Sequence, residues 1–241
     1  MKNSMKAVVY HHYGSPEMLH VEEIQKPVPG RDEVLVKVHA VSVNDWDLGL
    51  LRGKPLVNRL LFGLFKPRRK ILGSDIAGTI EMVGSNVKQW KVGDEVFGDL
   101  SGRWGGFAEY AVAPAAALML KPPGMNFEQA AAVPQAALLA LQGLRNKMTV
   151  QKGHHVLING GGGGAGTFAI QMAKSVGATV TAVDSASKLE TMLSVGADHV
   201  IDYKSEDFTK NGQQYDLILD LAAYHSIFDY KKSLTPNGRY I

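Results

Sequence analysis

The second half of the chain alternates short apolar runs with stretches that have helical spacing. Residues 156–158, Val-Leu-Ile, form an apolar run that a glycine-rich segment at 160–166 follows. Apolar residues then recur at 165, 168, 169, 172, 173 and 176, which is one face of a helix that Gly177 ends. We predict further strands at 179–183, 199–201 and 216–221, and a helix at 187–194. This alternation predicts a parallel sheet with right-handed crossovers.

The first half follows a different pattern, with strand-like alternation and frequent glycine turns. Between residues 33 and 43 apolar and polar positions alternate, which is typical of a half-buried strand. Many short strands separated by glycine predict a small β-barrel-like domain. The other strands are predicted at 6–10, 19–24, 75–83, 95–97 and 107–112.

The pattern changes near Lys121-Pro122-Pro123-Gly124, where we place a domain boundary, with one domain at 1–124 and a second at 125–241. Asn126 followed by Gln129 predicts a capped helix start, and Pro134 divides the helical stretch 130–144.

The chain's last residues predict an unfinished fold. Residues 235–238, Thr-Pro-Asn-Gly, predict a turn into the first residues of a strand at 239–241. We count four complete strands after residue 155 and the start of a fifth, whereas a dinucleotide-binding sheet has six. We therefore expect the second domain to be C-terminally incomplete.

The glycine segment is the main candidate for chemistry. Gly161, Gly163 and Gly166 fit the spacing G-x-G-x-x-G between a strand and a helix. In this motif the glycines permit a tight turn, close approach of the backbone to a pyrophosphate, and close packing of helix and strand. Five successive glycines are also compatible with a flexible linker. The flanking strand and amphipathic helix favour nucleotide binding.

Composition narrows the function classes. The 241 residues carry a net charge of +3, too small to indicate nucleic-acid binding, and contain no cysteine for disulfides or zinc. No stretch reaches the about 20 apolar residues of a membrane span. The start lacks an apolar signal segment, so we expect a cytoplasmic protein. His11-His12 and His154-His155 lack helical spacing and a third ligand nearby, so we predict no metal site.

Several segments together resemble one protein family. They are residues 40–47, 71–78, 92–98, 105–110, the glycine turn and 195–203, and they occur in the family's order. The chain is thus similar to the zinc-independent medium-chain dehydrogenase/reductases of the quinone oxidoreductase-like branch. The resemblance implies a GroES-like β-barrel catalytic domain followed by a Rossmann doubly wound parallel sheet. It also implies NAD(P)H-dependent reduction of a quinone, enone or related carbonyl, and a possible homodimer.

The resemblance implies roles for two residues of the first domain. Asn44 and Asp47 would lie near the nicotinamide ribose and the substrate. The alternative is that both make turn hydrogen bonds. No metal would polarise the substrate oxygen, so backbone N–H groups or a ribose hydroxyl would do so.

Cofactor choice depends on the end of the second Rossmann strand. Asp184 favours NAD, because an acid there accepts hydrogen bonds from ribose hydroxyls and disfavours a 2′-phosphate. Ser185, Ser187 and Lys188 favour NADP, because they can donate to that phosphate. Lys188 and Tyr203 also match the positions of phosphate-binding and adenine-side residues in similar NADPH-using reductases. We expect NADP(H), with NAD possible, bound by these residues and by Gly161, Gly163, Gly164, Ala165 and Gly166.

The chain departs from the family pattern at two places. Leu139 stands where the family commonly has a threonine facing the nicotinamide, and Ala223 ends a segment that in the family often reads D-x-V-G. These departures support an alternative function, a nucleotide-binding protein with impaired catalysis or a regulatory role.

Residues 56–70, apolar and then basic, could form a membrane-surface patch or a substrate mouth, but a covering loop with a solvated basic end is favoured.

Overall fold

The computed structural model describes residues 3–145 and 149–241, and the chain divides into two compact units, Met1–Pro134 and Gln135–Ile241. Helix α3 (Phe127–Ala131) follows the predicted boundary after residue 124 but packs in the N-terminal unit, where Ala130 and Ala131 are buried with Phe97. The placing of a domain boundary stays a prediction.

The N-terminal unit contains two antiparallel sheets. Strands β1 (Ser4–Val9) and β2 (His20–Gln25) form the smaller one. The larger has five strands, and its central strands carry fully buried apolar side chains, such as Val34 and Ile76. These strands are β3 (Glu33–Val41), β4 (Asp75–Val83), β5 (Glu95–Asp99), β6 (Tyr110–Pro114) and β7 (Leu118–Leu120), in the order β6-β3-β4-β5-β7.

Two short helices of this unit were not among the predicted elements. They are α1 (Asp45–Arg52) and α2 (Leu56–Phe62). The extended backbone of Asn44 starts α1, and Gly53, in the left-handed region at φ +60°, ends it. Helix α2 leaves Leu56, Leu60 and Leu61 exposed.

The C-terminal unit is built on a five-stranded parallel sheet, as the alternation of strands and helices predicts. Its strands are β8 (His155–Asn159), β9 (Thr179–Asp184), β10 (His199–Asp202), β11 (Tyr215–Asp220) and β12 (Leu234–Tyr240), in the order β10-β9-β8-β11-β12. Its helices are α4 (Pro134–Arg145), α5 (Gly164–Ser175), α6 (Leu189–Ser194) and α7 (Ile227–Lys232). The strand order reverses between β8 and β11, where sheets of this kind bind ligands at the carboxyl ends of the strands.

Burial of apolar side chains holds α5 on this sheet. Val156 and Ile158 of β8 and Ala169, Ile170 and Ala173 of α5 are fully buried in one cluster. Burying one isoleucine side chain of this kind contributes roughly 1.5–3 kcal/mol. The strand and helix that flank the glycine turn are therefore fixed by core packing, which rules out a flexible linker.

The turn predicted at residues 235–238 is wrong, because the structure continues β12 through it. Tyr215 pairs with Leu234 and Leu217 pairs with Arg239, so the intervening residues of β12 form an irregularity in the ladder. Gly238 passes close to the Tyr215 carbonyl oxygen, which a side chain at residue 238 would contact at 2.8 Å. The proline-glycine pattern thus marks a bulge rather than a turn.

Candidate cofactor site

The glycine turn is attached to the neighbouring strand by backbone hydrogen bonds. The N–H groups of Gly160 and Gly161 both donate to the Val183 carbonyl oxygen, at 2.9 and 3.0 Å. Gly160 has φ +89°, a conformation that side chains strain. The residue that permits the tight turn is therefore Gly160, and not Gly161 as the motif predicts.

Two glycines of the motif are required by packing. A Cβ atom on Gly161 would lie 2.8 Å from the Ala182 side chain, and one on Gly166 would collide with the Gly160 carbonyl oxygen. Contacts this short force a shift of the backbone. Gly161 and Gly166 therefore hold the turn close to β9 and to the start of α5.

Gly163 differs from these two glycines, because the protein around it leaves room for a side chain. A Cβ atom there would meet Gly160 oxygen at 3.4 Å, an ordinary contact, and φ is −86°. The space beside Gly163 therefore lies open at the start of α5. The N–H of Thr167 bonds back to Gly163 oxygen at 3.0 Å, so the N–H groups of the preceding first turn lack intrahelical acceptors. Free donors and an open cradle fit a pyrophosphate group.

Asp184 is already engaged by the protein. Its Oδ2 accepts the N–H of Gly162 at 3.0 Å, and its Oδ1 accepts the N–H of Ser185 at 2.8 Å. Lys188 Nζ lies 3.4 Å from Oδ2. The carboxylate thus fixes the turn, and Lys188 offsets its charge.

The predicted phosphate-binding side chains lie together next to this carboxylate. Ser185 Oγ and Ser187 Oγ are 3.2 Å apart, and the Lys188 side chain is 45% exposed. Two hydroxyls and an accessible ammonium therefore lie on the solvent side of Asp184, where a 2′-phosphate would accept hydrogen bonds.

A cavity of 370 Å³ opens beside Asp184. Tyr203 is attached to Asp184 by its N–H, which donates to the Asp184 carbonyl oxygen at 3.2 Å. The Tyr203 and Tyr224 rings have centroids 6.0 Å apart at 60°. The cavity is lined by Asn159, Gly160, Val183, Asp184, Tyr203, Ala222 and Tyr224. Its aromatic and glycine lining suits a flat heteroaromatic ring.

Sequence reasoning missed a polar network at the carboxyl ends of β8 and β11. Asp220 lies opposite Asn159 in the sheet register and accepts its side-chain N–H at 2.9 Å. It also accepts the N–H of Ala223 at 2.8 Å and the hydroxyl of Tyr240 at 2.9 Å. Asn159 and Asp220 each directly follow an apolar run in the sequence, but the sequence analysis gave no strand order and so could not pair them.

The structure places Asn44 and Asp47 at the start of α1, in the N-terminal unit. Asp47 is buried, and its Oδ2 accepts the N–H of Asn44 at 2.9 Å while its Oδ1 accepts the N–H of Gly73 at 2.8 Å. Burial raises the pKa of Asp47 despite these two hydrogen bonds. The Asn44 amide donates to the Ser42 and Ser74 hydroxyls, each at 3.3 Å. The turn hydrogen bonds that we considered as an alternative are thus present, and a catalytic role stays a prediction.

Comparison with known proteins assigns both units to described domains. Residues 30–123 match the alcohol dehydrogenase GroES-like domain, and residues 164–241 match the zinc-binding dehydrogenase domain. A chloroplast envelope quinone oxidoreductase homolog of Arabidopsis thaliana is 34% identical over 98% of this chain and 74% of its own length.

The chain belongs to the medium-chain dehydrogenase/reductase family.

Further relatives place it in the quinone oxidoreductase-like branch of that family, as predicted. The quinone oxidoreductase from Coxiella burnetii superposes with a TM-score of 0.88 and 32% identity, over 98% of this chain and 74% of that one. A chloroplastic NADPH-dependent alkenal/one oxidoreductase of Arabidopsis thaliana is 37% identical over 90% of this chain, which spans 57% of that relative. The predicted fold class, a GroES-like domain followed by a Rossmann sheet, is confirmed. The chain is shorter than these medium-chain relatives.

Although the second domain's description names zinc, the sequence contains no cysteine, so this chain cannot form a cysteine-ligated zinc site. In residues 3–145 and 149–241, one group of three metal-ligating side chains comes together, His11, His20 and Glu22. The expectation that no third ligand lies near the His11-His12 pair is therefore wrong, because the β1–β2 pairing brings in residues distant in sequence.

Among the described residues, no helix is both long and apolar enough to span a membrane.

Proposed function

We propose that the protein is an NADPH-dependent reductase that delivers hydride to a quinone, an enone or a related carbonyl compound without zinc. The observation that carries this proposal is the open cradle beside Gly163 at the start of α5. Its relatives support the substrate class, since they are named as a quinone oxidoreductase homolog and an NADPH-dependent alkenal/one oxidoreductase.

The side chains around Asp184 support NADP(H) over NAD(H). A free carboxylate would repel a 2′-phosphate, but Asp184 is turned to the Gly162 N–H and paired with Lys188. Ser185 and Ser187 add two donors on the exposed side. The local charge is therefore close to neutral, and the added phosphate finds donors rather than repulsion.

Backbone groups and side chains bind different parts of the cofactor in this proposal. When bound, the nicotinamide supplies the hydride. The first turn of α5 holds the pyrophosphate, Lys188 and its neighbouring serines hold the 2′-phosphate, and the cavity beside Tyr203 holds the adenine. Asn44 is the proposed polar contact for ribose or substrate, and Asp47 positions it by accepting its N–H. A solvent water delivers the proton, so no strong acid is required.

A nicotinamide fluorescence titration tests the cofactor assignment. Lys188→Ala should raise the Kd for NADPH by about tenfold or more, because a charge-assisted hydrogen bond contributes ~1.5–3 kcal/mol. The Kd for NADH should change little. Lys152→Ala, which removes an exposed lysine before the amino end of β8 and away from the proposed site residues, is the matched control. An equal loss for both cofactors would contradict the NADP(H) assignment.

Turnover separates the proposed enzyme from the alternative of a nucleotide-binding protein with impaired catalysis. Oxidation of NADPH is followed with a quinone and with an α,β-unsaturated ketone as acceptors. Reduction of either acceptor supports the enzyme, whereas tight NADPH binding with no reduction supports the alternative. The alternative was considered because Leu139 and Ala223 depart from the family's sequence pattern. The predicted homodimer and cytoplasmic location stay predictions, and the plant relatives above carry chloroplast names.

A further inference from the structure

Three metal-ligating side chains meet on the small β1–β2 sheet. His20 opens β2 opposite Val9 of β1, and Glu22 lies two residues further on the same face of β2. His11 comes just after β1 and completes the group. The Nε2 atoms of His11 and His20 lie 2.9 and 2.8 Å from the same atom, Glu22 Oε1.

The orientation of His20 is fixed by a second contact. Its Nδ1 lies 3.2 Å from the Met18 carbonyl oxygen. An N–H on Nδ1 that donates to this carbonyl makes Nε2 the nitrogen with the free lone pair in the neutral ring. Metal-binding histidines are held in this way, with the distal N–H on a carbonyl or carboxylate. His20 is therefore oriented to present a ligand atom towards Glu22 and His11.

We propose that His11, His20 and Glu22 bind a divalent transition-metal cation, with Zn²⁺ as the ion that suits two imidazoles and one carboxylate. Three protein ligands with water in a fourth position form a four-coordinate zinc site. Ligand atoms around tetrahedral zinc lie about 3.3 Å apart, given bond lengths near 2.0–2.1 Å. The ligand atoms of the three side chains lie within 4.8 Å of one another, so they have to shift by roughly 0.5–1.5 Å to reach this spacing, which these partly exposed side chains permit.

The site is distinct from the zinc that the second domain's description names, since its ligands lie within residues 11–22, outside the matched residues 164–241. The cation replaces the protons that would otherwise lie between each Nε2 and Glu22. It joins the segment after β1 to the first residues of β2, and so stabilises the smaller sheet of the N-terminal unit.

Calorimetric titration of the untagged full chain with ZnCl₂ tests the proposal, and the absence of cysteine removes thiols as competing ligands. We expect one Zn²⁺ per chain. His11→Ala and His20→Ala should each weaken binding by at least about tenfold. His12→Ala, next to His11 but outside the group, should leave the affinity unchanged. Loss of binding in His12→Ala, or unchanged binding in both of the other variants, overturns the proposal, as does the absence of saturable binding.

A second measurement guards against variants that fail to fold. Glu22→Gln keeps an oxygen that accepts hydrogen bonds but removes the negative charge, so it should fold and bind Zn²⁺ about tenfold more weakly. Zn²⁺ should raise the Tm of the wild type and raise that of Glu22→Gln much less at the same concentration. An equal rise in both proteins would show that Zn²⁺ binds elsewhere. Neither readout depends on NADPH or on turnover.

Discussion

At the scale of single residues, the glycines of the turn divide into those that the fold needs and one that a ligand needs. Gly161 and Gly166 have backbone or side-chain atoms where a Cβ would lie, whereas Gly163 has none closer than 3.4 Å. Within six positions glycine therefore has two roles, since it permits close packing at two of them and leaves space for a ligand at a third.

Gly163→Val tests this division. We expect the variant to fold with a Tm close to that of the wild type, because its side chain enters open space and its backbone is extended. Its Kd for NADPH should rise by more than about tenfold, because the side chain fills the space that the pyrophosphate would occupy. Thermal unfolding measures the Tm, and nicotinamide fluorescence measures the Kd for NADPH. Gly166→Val is the matched variant, and it should unfold at a clearly lower temperature. Unchanged NADPH binding in Gly163→Val would show that the pyrophosphate does not bind beside Gly163.

Ala223 carries backbone strain at the position where the family pattern often has glycine. Its φ is +51°, in the left-handed region, and its N–H donates to Asp220. Glycine adopts this conformation without the penalty of about 1–2 kcal/mol that a Cβ imposes, although it loses more entropy on folding. Ala223→Gly should therefore stabilise the protein by about 0.5–1 kcal/mol. Urea unfolding measures the change, and a loss of stability would show that the strain is relieved elsewhere.

At the scale of elements, Asp220 ties together three strands and the loop after β11. Burial raises the pKa of this carboxyl, but hydrogen bonds from Tyr230, Ala223, Tyr240 and Asn159 outweigh it, so the pKa is lowered. A carboxyl with a lowered pKa in the folded state contributes stability above its unfolded pKa of about 3.9. That contribution disappears as the pH falls through the folded-state pKa.

Asp220→Asn therefore has an expected pH profile. The variant should be less stable than the wild type at pH 7, because an amide offers fewer acceptor sites to the same donors. The difference should shrink as the pH falls below about 4. Urea unfolding at a series of pH values checks it, with the exposed Glu190→Gln of α6 as the control. A difference that stays constant down to pH 3 would show that the charge of Asp220 does not matter.

Sequence patterns predicted most elements of the C-terminal unit because its signals are local. The run 156–158, the glycines and the apolar face of α5 follow one another, so spacing alone indicates them. The missed features depend on residues far apart in sequence. Asn44 and Asp47 are equally suited to a turn or a helix start, which concealed α1. Strand pairing, and not sequence spacing, brings His11 to Glu22 and Tyr240 to Asp220.

At the scale of the whole molecule, the two units have separate buried clusters. One cluster of the N-terminal unit surrounds Val36 and Ile80, and one of the C-terminal unit surrounds Ile158 and Ile170. Apart from Asn44, the proposed NADPH-binding residues lie within 161–203 and belong to the C-terminal unit. A ligand stabilises the part of a protein whose folded form binds it.

Scanning calorimetry should therefore show two unfolding transitions. NADPH should raise the midpoint of one transition far more than that of the other, since the unit that makes most of the proposed contacts gains most of the stabilisation. The Gly163→Val variant should show two transitions and no shift. A single transition that NADPH moves as a whole would mean that the units unfold cooperatively.

Tryptophan is distributed unequally between the two units. The three tryptophans, Trp46, Trp90 and Trp104, all lie in the N-terminal unit, where Trp104 packs edge-on against Phe62. Indole emission therefore reports on that unit alone, while the proposed nicotinamide emission would report on the other. The protein thus provides two optical signals with separate origins, and each half can be followed without a label.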